Sequence, residues 1–128
     1  MKHLKILIVD DIIINRMLLL AIIEELGCEC REAENGKVAV DLLQKEHFDL
    51  VFMDIEMPVM NGLETTKYIR EQLTAPLSAI PVIALTAHNP SMFFDDFKSA
   101  GFTNLLTKPY SIDKLLRIIK ETNSSVCP

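Results

Sequence analysis

The chain has 128 residues, with 13 Lys and Arg against 18 Asp and Glu, so its formal net charge at pH 7 is −5. This length fits a single domain, and 49% hydrophobic with 24% charged residues exclude an intrinsically disordered chain. The acidic balance argues against direct nucleic-acid binding, because contacts to phosphates need a basic face.

Neither the hydrophobic segments nor the cysteines indicate a membrane or extracellular protein. The apolar run Met17 to Ile23 is far shorter than the ~20 residues that cross a bilayer. Cys28 and Cys30 are spaced C-x-C, Cys127 lies near the end, and the three histidines are scattered, which does not fit a zinc site. We therefore expect free thiols and a cytoplasmic protein.

Five short segments along the chain have the character of β-strands. Most are continuous apolar runs such as Ile6 to Val9, which are typical of strands buried on both faces of a parallel sheet. The second segment follows Gly27 and alternates less clearly, so we interpret it as an edge strand. The predicted strands are 6–9, 28–33, 50–53, 82–85 and 105–106.

Helical patterns separate these strands. The first ends at Gly27, a common stop signal, and most of its Met17 to Ile23 run is expected in the core, with an exposed edge for a helical partner. Asn89 and Pro90 predict a capped helix that ends at Gly101. The predicted helices are 15–26, 36–45, 63–73, 89–100 and one that begins at 112 after its cap, Ser111.

Strand and helix thus alternate five times. This pattern predicts an α/β fold, a doubly wound five-stranded parallel sheet with helices on both faces. We expect one domain over residues 1–122, followed by a short C-terminal tail over residues 123–128.

Polar residues of complementary chemistry follow four of the strands. Asp10 and Asp11 follow the first, Asp54 the third, Thr86 the fourth and Lys108 the fifth. Ligands of open α/β sheets bind outside the carboxyl ends of the strands, so these side chains are expected at one edge. Carboxylates about 4 Å apart repel each other by roughly 1 kcal/mol in water, and by more near a protein surface, which favours a bound cation. Oxygen ligands without nearby His or Cys suit Mg²⁺.

The same residues fit phosphoryl transfer onto a carboxylate. An Asp carboxylate can act as a nucleophile, Lys108 supplies a positive charge, and Thr86 supplies a hydroxyl for a phosphoryl oxygen. Asp10 and Asp11 are adjacent, which fits a shared metal-binding role. Asp54 stands alone before a turn-rich segment and is the better nucleophile candidate on spacing.

Four motifs occur together and in order. On these motifs the chain resembles the receiver domain of two-component response regulators, of the chemotaxis-regulator type, and most closely the receivers of hybrid sensor kinases. The resemblance runs from about residue 4 to residue 120. The motifs are Ile8-Val9-Asp10-Asp11, the segment 53–62 (MDIEMPVMNG), the segment 81–87 (PVIALTA) and Thr107-Lys108-Pro109.

The resemblance implies the roles of the acidic residues. Asp54 would accept a phosphoryl group from a phosphohistidine on a histidine kinase or a phosphotransfer protein. Asp10, Asp11 and Asp54, with the backbone carbonyl of Glu56, would bind Mg²⁺. Such a domain is a phosphoacceptor signalling module of a phosphorelay rather than an enzyme, apart from its own phosphorylation and slow dephosphorylation. The implied sheet order is the flavodoxin-like 2-1-3-4-5.

The resemblance also implies a switch. Lys108 would pair with the phosphoryl group, Thr86 would reorient to bond it, and the peptide before Pro109 would be cis. Family members often carry an aromatic residue three positions before the lysine, where this chain has Leu105. The resemblance therefore leaves open how the switch works here. The downstream target would be a protein, and the chain a monomer or a phosphorylation-dependent dimer.

Two other function classes fit the same pattern less well. A metal-dependent phosphatase with an Asp nucleophile, of the haloacid-dehalogenase type, needs a second acid two residues later; Glu56 stands there, but the chain is short for a substrate cap. A flavin-binding module would need a Ser- and Thr-rich phosphate cradle after the first strand. Asp10 and Asp11 there would repel the FMN phosphate, so a receiver domain is the favoured hypothesis.

Overall fold

The computed structural model describes residues 4–57, 60–87, 99–108 and 110–122. Most of the predicted helix over 89–100 lies outside these ranges, but residues 99 and 100 are described and are helical. Pro109 and the tail over 123–128 also lie outside the described residues. No helix of the described residues has both the length and the hydrophobicity needed to cross a membrane. The elements are β1 (Lys5–Val9), α1 (Ile13–Glu25), β2 (Glu29–Ala33), α2 (Gly36–Lys45), β3 (Leu50–Asp54), α3 (Gly62–Gln72), a 3-10 turn (Leu77–Ala79), β4 (Val82–Thr86), β5 (Asn104–Thr107) and α4 (Ile112–Thr122).

The five strands form one parallel sheet in the order β2-β1-β3-β4-β5, which confirms the expected fold. The second segment is an edge strand, as predicted. In register, Val9 pairs with Met53, and Thr86 with Thr107. Because the strands are parallel and nearly in step, the residues that follow them meet at one edge of the sheet.

The helices cover both faces of the sheet, so the central strands are buried on both sides. On one face α1 and α4 pack against the sheet through Leu19, Ile23 and Leu115. On the other face α2 and α3 pack through residues such as Leu43 and Ile69. This double covering explains the continuous apolar runs that predicted the strands.

Helix ends follow local side-chain chemistry where the sequence provides it. Asn61 and Glu64 form a reciprocal capping box at the start of α3. Ser111 Oγ accepts a hydrogen bond from the backbone N–H of Lys114 (3.2 Å), which confirms the predicted cap of α4. Gly27 has φ +87°, which suits a glycine just after α1. The start of α1 has no side-chain cap, and the helix begins two residues before the predicted position.

The core takes fewer residues of α1 than predicted. Within the Met17 to Ile23 run, Leu19 and Ile23 are buried, whereas Met17 and Leu18 are more than half exposed. The reason is geometric, since a helix that lies on one face of a sheet buries a single stripe of residues three to four apart. The exposed remainder is an apolar surface beside the carboxyl edge of the sheet.

Arg70 on α3 joins three parts of the chain. Its guanidinium donates hydrogen bonds to the backbone carbonyls of Gly101 (2.9 Å), Ser78 (3.1 Å) and Ile80 (2.7 Å). Burial lowers the pKa of Arg70, because the charged form loses hydration. The three carbonyls compensate for that loss, and the planar guanidinium matches their directions.

We expect Arg70→Lys to lower the free energy of unfolding by about 2–4 kcal/mol, because an ammonium group cannot replace three directed hydrogen bonds from a charged donor. Urea unfolding followed by circular dichroism measures the change. Arg117→Lys on the exposed side of α4 is the matched control and should change stability by less than about 0.5 kcal/mol. Equal stability of the two variants would contradict this interpretation of Arg70.

Candidate functional site

Three carboxylates meet where β1 and β3 end. Each of Asp10, Asp11 and Asp54 offers one carboxylate oxygen, and these oxygens lie within 4.8 Å of one another. Asp10 and Asp54 are buried, whereas Asp11 is exposed. The structure thus brings together the three acids that the strand-end pattern singled out.

The two carboxylate oxygens of Asp10 differ in their hydrogen bonding. Its Oδ1 accepts a hydrogen bond from the backbone N–H of Ile12 (2.9 Å). Its Oδ2 is buried and accepts no hydrogen bond from the part of the chain that the structure describes. A buried carboxylate oxygen without a donor is costly, and a cation would satisfy it. The all-oxygen donor set therefore fits Mg²⁺.

Lys108 is the cation that faces these acids. Its Nζ lies 3.6 Å from Asp10 Oδ2 and 3.6 Å from Asp54 Oδ2. The backbone N–H of Lys108 donates to the carbonyl of Thr86 (2.7 Å), which extends the pairing of β4 with β5 to the site. A single ammonium group offsets only part of the charge of three carboxylates, so the site remains suited to a further cation.

The ionisation of Asp54 is shifted towards neutral pH. Burial, reinforced by the charge of Asp10, raises the pKa of Asp54 to about 7, and the opposing charge of Lys108 only partly compensates. The backbone N–H of Glu56 donates to Asp54 Oδ1 (3.2 Å). In the metal-free protein this carboxyl group is therefore partly protonated at pH 7, and a bound dication would favour its ionised form.

Thr86 and Leu105 lie on neighbouring strands close to Lys108. Thr86 is buried at the end of β4. Leu105 is half-buried in β5 and pairs with Ala84. The residue before Lys108, Thr107, pairs with Thr86, so the hydroxyl of Thr86 and the ammonium of Lys108 belong to adjacent strand ends.

Two contributors to the site were not predicted from the sequence. Tyr110 is half-buried, and burial with the charges of Asp10 and Asp54 raises its pKa to about 12. Arg16 on α1 donates a hydrogen bond to the backbone carbonyl of Asp10 (2.7 Å). Tyr110 follows Lys108 by two positions, after the end of β5, whereas Arg16 lies on α1 and only the packing of that helix against the sheet brings it close.

The sequence matches a known family model and curated relatives. The model described as the response regulator receiver domain matches residues 6–120. The sensor protein GacS of Pseudomonas syringae pv. syringae is 36% identical over 116 residues, which are 90% of this chain and 13% of GacS. The polar-differentiation response regulator DivK of Brucella ovis is 34% identical over 115 residues, 90% of this chain and 92% of DivK. The chain thus spans a small part of GacS and most of DivK.

Solved structures share the fold over nearly the whole chain. The chemotaxis response regulator CheY4 of Vibrio cholerae has a TM-score of 0.86 at 31% identity, covering 94% of this chain and 99% of CheY4. The receiver domain of the sensor histidine kinase PA1611 of Pseudomonas aeruginosa PAO1 has a TM-score of 0.87 at 28% identity, covering 96% of this chain and 99% of that structure. That structure has a magnesium ion coordinated in its active-site cleft. The resemblance read from the motifs is confirmed: the chain belongs to the response regulator receiver domain family, the phosphoacceptor modules of two-component signal transduction.

Proposed function

We propose that Asp54 is the phosphoacceptor, and that it receives its phosphoryl group from a phosphohistidine on a histidine kinase or a phosphotransfer protein. The observation that carries this proposal is the buried Asp54 carboxylate, which lies beside a second buried acid and 3.6 Å from the Lys108 ammonium. Phosphorylation would alter the surface of the domain for a downstream protein. The domain would catalyse only its own phosphorylation and slow dephosphorylation.

Asp10, Asp11, Asp54 and the backbone carbonyl of Glu56 would hold Mg²⁺. Within the described residues Asp10 Oδ2 accepts no hydrogen bond, and this oxygen together with the cluster of three carboxylates supports the assignment. When bound, Mg²⁺ would offset the charge of the carboxylates and of the phosphoryl oxygens. Lys108 would remain free to pair with the phosphoryl group.

The chain's own residues would carry the transfer. An ionised Asp54 oxygen attacks the phosphorus, the bond from phosphorus to the imidazole nitrogen of the donor breaks, and the imidazole leaves with its electron pair. Lys108 pairs with one transferred oxygen, and the Thr86 hydroxyl donates a hydrogen bond to another. Because only the ionised carboxylate attacks, the pKa of Asp54 makes the metal-free acceptor less reactive below about pH 7.

The surface next to the site favours a protein donor over a small phosphate ester. The described residues include seven large apolar side chains that are exposed, and five of them lie within residues 12–18, at the start of α1 just after Asp11. Such a patch is typical of protein contact sites. It supports docking of the donor through an apolar helix face. The five residues are Ile12, Ile13, Ile14, Met17 and Leu18.

Incubation with acetyl phosphate and Mg²⁺ tests the proposal. We expect one phosphoryl group per chain in the intact mass, and none for Asp54→Asn, which keeps the size of the side chain but removes the nucleophile. Asp41→Asn on the exposed face of α2 is the control and should label normally. Labelling of the Asp54→Asn variant would refute the assignment, and repeated turnover of acetyl phosphate at the rate of an enzyme would favour the phosphatase alternative.

A further inference from the structure

Arg16 connects α1, the end of β1 and the edge strand β2. Its Nη1 donates a hydrogen bond to the backbone carbonyl of Asp10 (2.7 Å), and its Nε donates to Glu32 Oε1 (3.1 Å). The Arg16 side chain is largely buried, with 13% exposed, whereas the Glu32 side chain is 39% exposed. The guanidinium is thus held at two points, one just beyond the end of β1 and the other on β2.

The carbonyl that Arg16 binds belongs to the peptide that links Asp10 to Asp11. The backbone N–H of Asp10 donates to the carbonyl of Ala33 (3.1 Å), and its Oδ1 accepts from Ile12. With the Arg16 contact, the backbone of Asp10 is fixed on both sides of its Cα. Since Asp11 is exposed, the direction of its carboxylate depends mainly on the backbone that carries it.

We propose that Arg16 is a positioning residue that orients the Asp10–Asp11 peptide, so that both carboxylates point at the Mg²⁺ site. Glu32 holds the guanidinium in place and neutralises its charge at the rim of the site. This inference rests on the proposed Mg²⁺ site and adds to it a residue outside the ligand set. Groups behind metal ligands of this kind typically change metal affinity by about 10–100-fold.

The change in charge and the loss of the hydrogen bond predict opposite effects of removing Arg16 on Mg²⁺ affinity. Removing a positive charge near a cation site would by itself tighten Mg²⁺ binding. Loss of the hydrogen bond to the Asp10 carbonyl would release the Asp10–Asp11 peptide and weaken Mg²⁺ binding. A weaker Mg²⁺ affinity in Arg16→Gln therefore cannot come from the change in charge.

The experiment is an MgCl₂ titration of the ¹⁵N-labelled full chain, followed through the backbone amides of Asp11 and Glu56. We expect Arg16→Gln to weaken Mg²⁺ binding by about tenfold or more. Arg16→Lys should also weaken it, since a lysine keeps the charge but cannot hold both acceptors in the guanidinium geometry. Arg31→Gln is the matched control, because Arg31 is an exposed arginine of the same strand as Glu32 and pairs with Glu46 (3.1 Å). The Mg²⁺ affinity of Arg31→Gln should be within twofold of the wild-type affinity.

The outcomes separate this inference from the proposed function. If the wild type does not bind Mg²⁺, the proposed metal site fails. If the wild type binds and both Arg16 variants bind equally well or more tightly, only the role of Arg16 is overturned. Loss of the folded spectrum in both Arg16 variants would also overturn it, because Arg16 would then hold the fold rather than the site. Without metal, shifts of the Asp11 and Ile12 amides in Arg16→Gln but not in Arg31→Gln support the proposal.

Discussion

Asp54→Asn is expected to make the metal-free protein more stable at pH 8, by about 2–4 kcal/mol. Burial and the charge of Asp10 raise the pKa of Asp54 from an ordinary value of 3.8 to about 7 in the folded state. Between these values the folded protein binds more protons than the unfolded chain, so stability falls as the pH rises through this window. Above about pH 7 the full cost of the buried charge is present, and the neutral amide removes it.

Urea unfolding at pH 5 and pH 8, with a chelator present, measures this effect. At pH 5 the gain should be less than half of that at pH 8, because the folded carboxyl group is then mostly protonated. The same concentration of Mg²⁺ should stabilise the wild type more than the variant, which lacks one of the three carboxylates. Asp41→Asn, which removes an exposed carboxylate, should change stability by less than about 0.5 kcal/mol at either pH. An equal gain at both pH values would show that the charge of Asp54 is not the cause.

Gly62→Ala is expected to lower the free energy of unfolding by about 3 kcal/mol, the upper end of the usual cost of overpacking. A Cβ atom at Gly62 would clash with the backbone oxygen of Asp54 and would lie 2.8 Å from the Cα of Ile55. Both are backbone atoms of the segment that carries the phosphoacceptor, so they cannot move aside as a flexible side chain could. The start of α3 would have to shift away from the end of β3, and overpacking of this kind costs typically about 1–3 kcal/mol and occasionally more.

Gly27→Ala is the matched control for Gly62→Ala. Gly27 has a positive φ of 87°, but no atom of the described residues lies within 4 Å of the position of an added Cβ. This variant therefore has backbone strain without a clash and should lose only about 1–2 kcal/mol. Thermal unfolding compares the two, and the amides of Ile55 and Glu56 should shift in Gly62→Ala alone. A loss in Gly62→Ala no larger than in Gly27→Ala would mean that the contact with Asp54 is not tight.

Much of the architecture can be predicted from local sequence patterns. The apolar runs of β1, β3 and β4 are continuous because these strands are buried on both faces, and that property is visible without a structure. The acids after β1 and β3 mark the functional edge for the same reason, since parallel strands end together. The order of the strands was expected from the resemblance to receiver domains, because spacing alone does not say which strands pair.

The structural features that local sequence patterns did not predict depend on contacts between residues that are distant in the sequence. The start of α1 has no capping side chain, and the exposure of Met17 and Leu18 follows from how that helix lies on the sheet. Arg70 binds the carbonyl of Gly101, thirty-one positions later, and Arg16 binds Glu32, sixteen positions later. An arginine on the polar side of a helix has the same sequence pattern whether it binds a distant partner or faces solvent. The sequence therefore could not predict these two contacts.

By itself, the sequence determined the alternation of strands and helices, the parallel sheet and the identity of the acids at its edge, because hydrophobic periodicity and strand-end residues are local properties. The tertiary structure alone decided how these groups behave. It placed three carboxylates within 4.8 Å of one another, left one Asp10 oxygen without a hydrogen-bond donor among the described residues, and raised the pKa of Asp54 to about 7. Such effects depend on burial and on distances between charges, and only the packed chain has either.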